Sequence, residues 1–189
     1  MIIAIVGVKG GTAKTTSAIY LAHALSCPVV DTDPQASATE WAEVAQAAGS
    51  PLAVPVHSQP TAKLAGRLPS HSHLVLDTPP GDAGIITAAV DVADFVVLPV
   101  APTALDVSRV WPALDLVRAA GKPAAILLCR TRHTRSVDEV AAALTEDGAR
   151  VLTTRIPLRE ALALAWGKPV TEFYGYDRAA TELVKEGQR

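Results

Sequence analysis

Two lysines bracket a glycine pair in Lys9-Gly10-Gly11-Thr12-Ala13-Lys14-Thr15-Thr16. The stretch follows the apolar run IIAIVG and precedes the apolar-periodic run SAIYLAHAL. Strand, glycine loop and helix in that order make a cradle for phosphate. Gly10 and Gly11 let the backbone approach an anion and aim N–H groups at it, and the helix start adds the positive end of its dipole. In such a loop the Lys14 ammonium reaches the β- and γ-phosphates of a nucleotide and the Thr15 hydroxyl ligates Mg2+. Thr12, Ala13 and Thr16 complete the wrap. The strict pattern GxxxxGK[ST] is not met, because Val8 and Ala13 stand at its glycine positions.

Three carboxylates stand where strands are expected to end. PVVDTDPQ puts Asp31 and Asp33 two residues apart, on one strand face. One carboxylate there can hold Mg2+ through water, and another can orient an attacking water. Asp33-Pro34 can also begin a turn and cap the next helix. SHLVLDTPPG ends in Asp77, the place of a Mg2+-holding carboxylate beside a phosphate loop. Pro79-Pro80-Gly81 then predicts a turn.

These residues need a frame that brings strand ends together. Short apolar runs predict strands near 2–7, 28–32, 52–57, 73–78, 94–100, 123–129 and 150–154. Helical patterns fall near 14–25, 36–47, 60–67, 83–91, 104–120, 136–147, 158–166 and 177–186. Repeated βα units predict an α/β fold in three layers: a mostly parallel sheet of about seven strands with helices on both faces. Ligands of such sheets sit beyond the carboxyl ends of the strands, which is where the loop and the three carboxylates fall. With 189 residues and no convincing linker, one domain over 1–189 is expected.

Taken together, these motifs resemble the ParA/MinD family of ATPases, whose deviant phosphate loop reads KGGxxK[ST]. The fold implied is that of the P-loop NTPases. The resemblance is specific from Met1 to about Arg109, through DTDPQASAT with Trp41, LDTPPG and FVVLPVAPTALDVSR, and looser through ILLCRTR to TEFYG. It implies ATP and Mg2+ as cofactors, with Thr15, Asp31 and Asp77 about the metal and Asp33 positioning water. Lys9 matches the extra lysine that reaches the partner's phosphates in a nucleotide-sandwich homodimer, so Lys9, Lys14 and Asp33 are the expected catalytic set. In relatives the loop after the 123–129 strand approaches the adenine, which makes Arg130 and Thr131 candidates.

Composition narrows the partners. Hydrophobic residues are 49%, charged residues 19% and aromatics 4%, a globular mix suited to buried parallel strands. No apolar run reaches the ~18 residues of a membrane span, and MIIAIVG has no basic leader. Cys27 and Cys129 lie in apolar segments and are expected as buried reduced thiols, which fits a cytoplasmic protein. Net charge is −2 overall, but residues 101–189 carry thirteen basic and eleven acidic side chains. Arg130, Arg132, His133 and Arg135 cluster there, followed by Arg150, Arg155, Arg159 and Lys168. ParA relatives bind DNA non-specifically through basic residues of that half, by salt-sensitive phosphate contacts. The sequence is most similar to small plasmid-type members without an N-terminal DNA-binding domain. The end, YDRAATELVKEGQR, lacks the basic amphipathic pattern of membrane-bound members.

The resulting expectation is a weak, nucleoid-associated DNA-segregation ATPase. It would be stimulated by a centromere-binding partner of the ParB or ParG kind. An alternative keeps the fold and changes the cargo: a positioning or scaffold ATPase for another cellular body. A metabolic P-loop enzyme similar to dethiobiotin synthetase is a further rival.

Overall fold

In the computed structural model the described residues are 1–7, 9–59, 72–132 and 134–186. Val8, His133 and the helix expected near 60–67 fall outside them. Six strands form one sheet: β1 (Ile2–Ile5), β2 (Val29–Asp31), β3 (Val56–Ser58), β4 (Leu74–Asp77), β5 (Phe95–Val100) and β6 (Ala124–Leu128). Their order is β3-β2-β4-β1-β5-β6 and every pairing is parallel. Eight helices accompany them among the described residues: α1 (Lys14–Leu25), α2 (Ser37–Ala47), α3 (Ala83–Val92), α4 (Ala104–Ser108), α5 (Trp111–Ala119), α6 (Arg135–Glu146), α7 (Glu160–Ala163) and α8 (Tyr176–Glu186).

Alternation along the strands divides the core between the two faces of the sheet. Ile3, Ile5, Val75 and Leu127 pack on one face with α1, α2 and α8. Ala4, Leu76, Val96 and Leu128 pack on the other with α3, α5 and α6. Apolar residues on both faces are why these strands read as nearly unbroken hydrophobic runs. On the first face a hydrogen bond of 3.0 Å between the Ser17 hydroxyl and Tyr176 Oη joins α1 to α8. The expected thiols, Cys27 and Cys129, are free and buried there, and burial pushes both up to about 12.

The structure corrects the sequence reading at three places. The seventh strand, 150–154, is reduced to a single bridge between Ile126 and Val151. Its backbone groups have other partners. The Glu182 carboxylate accepts from the Thr153 and Thr154 N–H groups, and the Arg155 guanidinium donates to the carbonyls of Leu152, Thr153 and Thr154. With those donors and acceptors engaged, a ladder cannot propagate. The helix expected over 104–120 is two, since Pro112 in the first turn of α5 favours a fresh start. The helix expected near 158–166 shrinks to the single turn α7.

Candidate functional site

Strand register sets the site. Ile5 pairs with Asp77, and Asp31 pairs with Asp77, so the ends of β1, β4 and β2 lie side by side. The loop leaving β1 rises over that edge and enters α1 at Lys14. Ala13 precedes the helix in the left-handed region, with φ 67°, and α1 has no side-chain cap at its N-terminus. A helix start without a side-chain acceptor is open to an exogenous anion. Gly11 also has positive φ, at 78°. An alanine in the left-handed region is strained by about 1–2 kcal/mol. Ala13→Gly is therefore expected to raise unfolding stability by up to about 1 kcal/mol, once the greater freedom of unfolded glycine is offset. Urea denaturation checks this, and a lower stability would show that the Ala13 methyl makes a useful contact.

Lys14 is 7% exposed. Burial lowers its pKa, while Asp77 and Asp33 hold it up. Its ammonium donates to the Lys9 carbonyl at 2.8 Å. Gly7 makes room for the lysine stem: a Cβ there would meet Lys14 Cδ and Thr12 Oγ1 at 3.2 Å each. The role of Gly7 escaped the sequence reading, because the strict motif directs attention to Val8 instead.

Asp77 is fully buried, and neither carboxylate oxygen has a hydrogen-bond partner among the described residues. Its pKa is raised to about 7, chiefly by burial; the nearby Thr15 hydroxyl and Lys14 act to lower it without closing an ordinary bond, and the charges of Asp31 and Asp33 act to raise it. An orphaned buried carboxylate beside a threonine hydroxyl is the fit a Mg2+ ion requires. Among the described residues no three His, Cys, Asp or Glu side chains form a metal cage.

Asp31 is differently placed. Its Oδ1 accepts from the Asp33 N–H at 3.1 Å, and its Oδ2 accepts from the N–H and hydroxyl of Thr39 at 2.8 Å each. It braces the first turn of α2 and adds negative charge beside Asp77. Asp33 is half-buried and accepts from the Gln35 N–H at 2.9 Å, which realises the turn reading while its charge still acts on Lys14 and Asp77.

The remaining candidates separate. Arg130, at φ 56°, lines a pocket of about 310 Å³ with Gly11, Ala13, Thr16, Leu158 and Tyr176, beside the loop and of a size for a nucleoside. Thr131 lines a different, larger groove, and its hydroxyl donates to the Ile156 carbonyl. Lys9 is held by a residue the sequence did not single out: its ammonium lies 3.3 Å from Asp106 Oδ1.

Comparison with known proteins places this geometry. The model of the CobQ/CobB/MinD/ParA nucleotide binding domain matches residues 3–170. The chain is 35% identical to a Gloeobacter kilaueensis protein, "Maintenance of carboxysome distribution protein A", over 96% of this chain and 81% of that one. A Halothiobacillus neapolitanus protein of the same description is 26% identical, over 97% and 93%. Among solved structures, a plasmid partition protein of Borrelia burgdorferi bound to AMPPNP superposes with a TM-score of 0.75 at 20% identity, covering 97% and 96%. The septum site-determining protein MinD of Pyrococcus horikoshii with Mg-ADP gives 0.75 at 18%, covering 98% and 96%. At such identities these two establish the fold.

Proposed function

Because the chain belongs to the CobQ/CobB/MinD/ParA nucleotide-binding family, we propose that it is a Mg-ATP-dependent positioning ATPase that distributes a cellular body over the nucleoid. The observation that carries this reading is the 35% identity, along nearly the whole chain, to a carboxysome distribution protein. It favours the second of the two family readings drawn from sequence, positioning of a body rather than segregation of DNA. A proteinaceous body of the carboxysome kind is the first cargo to test.

The chemistry follows from the site. Lys14 and the backbone of Gly10–Thr16 neutralise and orient the phosphates, so catalysis is mainly placement and electrostatics. Asp77 and Thr15 are the direct Mg2+ candidates, and Asp33 orients the attacking water. Mg2+, when bound, supplies charge neutralisation at the transferring phosphoryl group. Lys9 reaches the nucleotide of a second copy, so ATP drives a homodimer and slow hydrolysis, stimulated by a partner protein, releases it. Asp33→Ala keeps nucleotide and dimer but slows turnover.

The nucleoid enters through the groove of about 940 Å³ lined by Arg132, Arg135, Arg155, Arg159 and Arg178, with Asp138, Glu172 and Asp177. Arg155 already serves backbone carbonyls, but Arg132, Arg135, Arg159 and Arg178 are exposed. A groove of this kind contacts phosphates without reading bases. No helix among the described residues is long and apolar enough to cross a membrane. Arg132→Glu with Arg135→Glu is expected to weaken ATP-dependent DNA binding at least about tenfold and to reduce the log–log salt slope by about 2. Fluorescence anisotropy over a salt series reads both, and undiminished binding would remove the groove from the model.

Plasmid partition remains the second reading, favoured by the DTDPQASAT segment. Deletion in the source cell separates the two. Clumped bodies with stable plasmid inheritance support positioning, whereas plasmid loss with evenly spread bodies overturns it.

A further inference from the structure

Lys9 is fixed at both ends of the residue. Its ammonium pairs with Asp106 Oδ1 at 3.3 Å, and its carbonyl accepts from Lys14 Nζ at 2.8 Å. The Lys9 side chain is 46% exposed and that of Asp106 is 16% exposed. Asp106 is itself held from behind. Thr103 caps α4, accepting from the Asp106 N–H at 3.2 Å and donating its hydroxyl to Asp106 Oδ2 at 2.8 Å. One carboxylate oxygen is thus committed to the cap and the other faces Lys9. The hydroxyl of Thr103 and the charge of Lys9 keep Asp106 below the usual carboxylate range, so it is ionised at neutral pH. Arg109 lines the same cleft and adds a second cation near Asp106.

We infer that Asp106 is a positioning residue of the dimer switch, an intramolecular counter-ion that holds Lys9 on its own subunit until a second copy presents its phosphates. This rests on the reading that Lys9 acts across a dimer. An ammonium held against a capped carboxylate of its own chain must leave it before reaching a phosphate on another. Each subunit opens one such pair on dimerisation. Arg109 is placed to compensate the carboxylate once Lys9 departs. The resting monomer is therefore favoured by a contact that the dimer gives up twice.

A partly exposed ion pair shifts an equilibrium by about two- to fivefold. Two of them shift dimerisation by about four- to twenty-five-fold, so Asp106→Asn is expected to tighten the AMPPNP-Mg dimer by that factor in analytical ultracentrifugation. Asparagine keeps an oxygen for the Thr103 hydroxyl, so the cap survives. In the nucleotide-free protein, acylation of Lys9, read by mass spectrometry, is expected to speed up severalfold in Asp106→Asn, a change that a purely structural role would not produce. Asp106→Glu restores a charged capping-box residue and is expected to return both readouts toward wild type. Unchanged or weaker dimerisation of Asp106→Asn, with normal melting, overturns the inference; so does unchanged Lys9 acylation. If Asp106→Asn melts early, Asp106→Glu with faster acylation and a tighter dimer would overturn it as well. Lys9→Ala tests the reading underneath. If it dimerises like wild type, the cross-subunit role fails; if it stays monomeric while Asp106→Asn does not tighten, only the counter-ion role fails.

Discussion

Lys14→Ala is expected to weaken nucleotide binding by about a hundredfold or more while leaving the protein folded. The lysine is 7% exposed, and burial lowers its pKa, so its charge is held at a cost that Asp77 and Asp33 offset only in part. Removing it relieves that desolvation, which offsets the loss of its hydrogen bond to the Lys9 carbonyl, worth about 1.5–3 kcal/mol for a charged donor. Melting is therefore expected to change little. Binding is another matter, because on the proposed reading the buried Lys14 ammonium faces the phosphates from inside the subunit. Charge-assisted contacts truncated on one side cost about 2–5 kcal/mol, so ATP affinity is expected to fall by about a hundredfold or more. Turnover falls with it. Isothermal titration with Mg-AMPPNP and a phosphate-release assay check both, and near-normal binding would dismantle the proposed site.

The second large effect concerns pH. Burial raises Asp77 to about 7, and Mg2+ requires its carboxylate form. Mg-nucleotide affinity is expected to drop about tenfold per pH unit below 7 and to level off above it, with a proton released on binding in the lower range. Stability without nucleotide runs the opposite way. An acid whose folded pKa is raised binds its proton more tightly folded than unfolded. Its stabilisation is complete below the unfolded value of about 3.9 and is lost as pH rises toward 7. Asp77→Asn removes this term and flattens the curve, while abolishing Mg2+ affinity. Calorimetric titrations and chemical denaturation from pH 5 to 9 measure both. A Mg2+ affinity independent of pH below 7 would mean that the carboxylate is already ionised.

How much of this was written in the sequence depends on how local each signal is. Lys14, Thr15, Asp31, Asp33 and Asp77 each follow a strand, and their strands adjoin, so reading strand ends was enough to gather them. The inner sheet was legible for the same reason, since β1, β4, β5 and β6 are buried on both faces and almost wholly apolar, whereas the edge strand β3 is polar and exposed after Val56. The segment 150–154 looked like another such strand. Its ladder was lost to Arg155 and Glu182, and the latter lies on α8, 28 and 29 residues from the amides it serves. No window of local pattern contains that competition. Asp106 has the same character. Thr103-x-x-Asp106 can be read as a cap, but its pairing with Lys9 spans 97 residues. Arg130 and Thr131 are neighbours in sequence, yet the left-handed turn at Arg130 sends them to different cavities. The biological role is least legible of all, because the motifs specify how phosphate is held and not what the nucleotide controls.

The strand order also constrains how the molecule comes off the ribosome. β1, which precedes both of its neighbours in the chain, is flanked in the finished sheet by β4 and β5, so Ile3 pairs with Val75 on one side and Phe95 on the other. Until roughly half the chain has emerged, β1 lacks at least one of its two strand neighbours, and its second face still awaits the later helices that cover it. Late, long-range pairing of this kind folds slowly and leaves hydrophobic strand exposed meanwhile. The phosphate loop, attached to the end of β1, is thus made well before the strands that hold it in place. A nascent chain halted before β5 would hold every residue of the motif and no site.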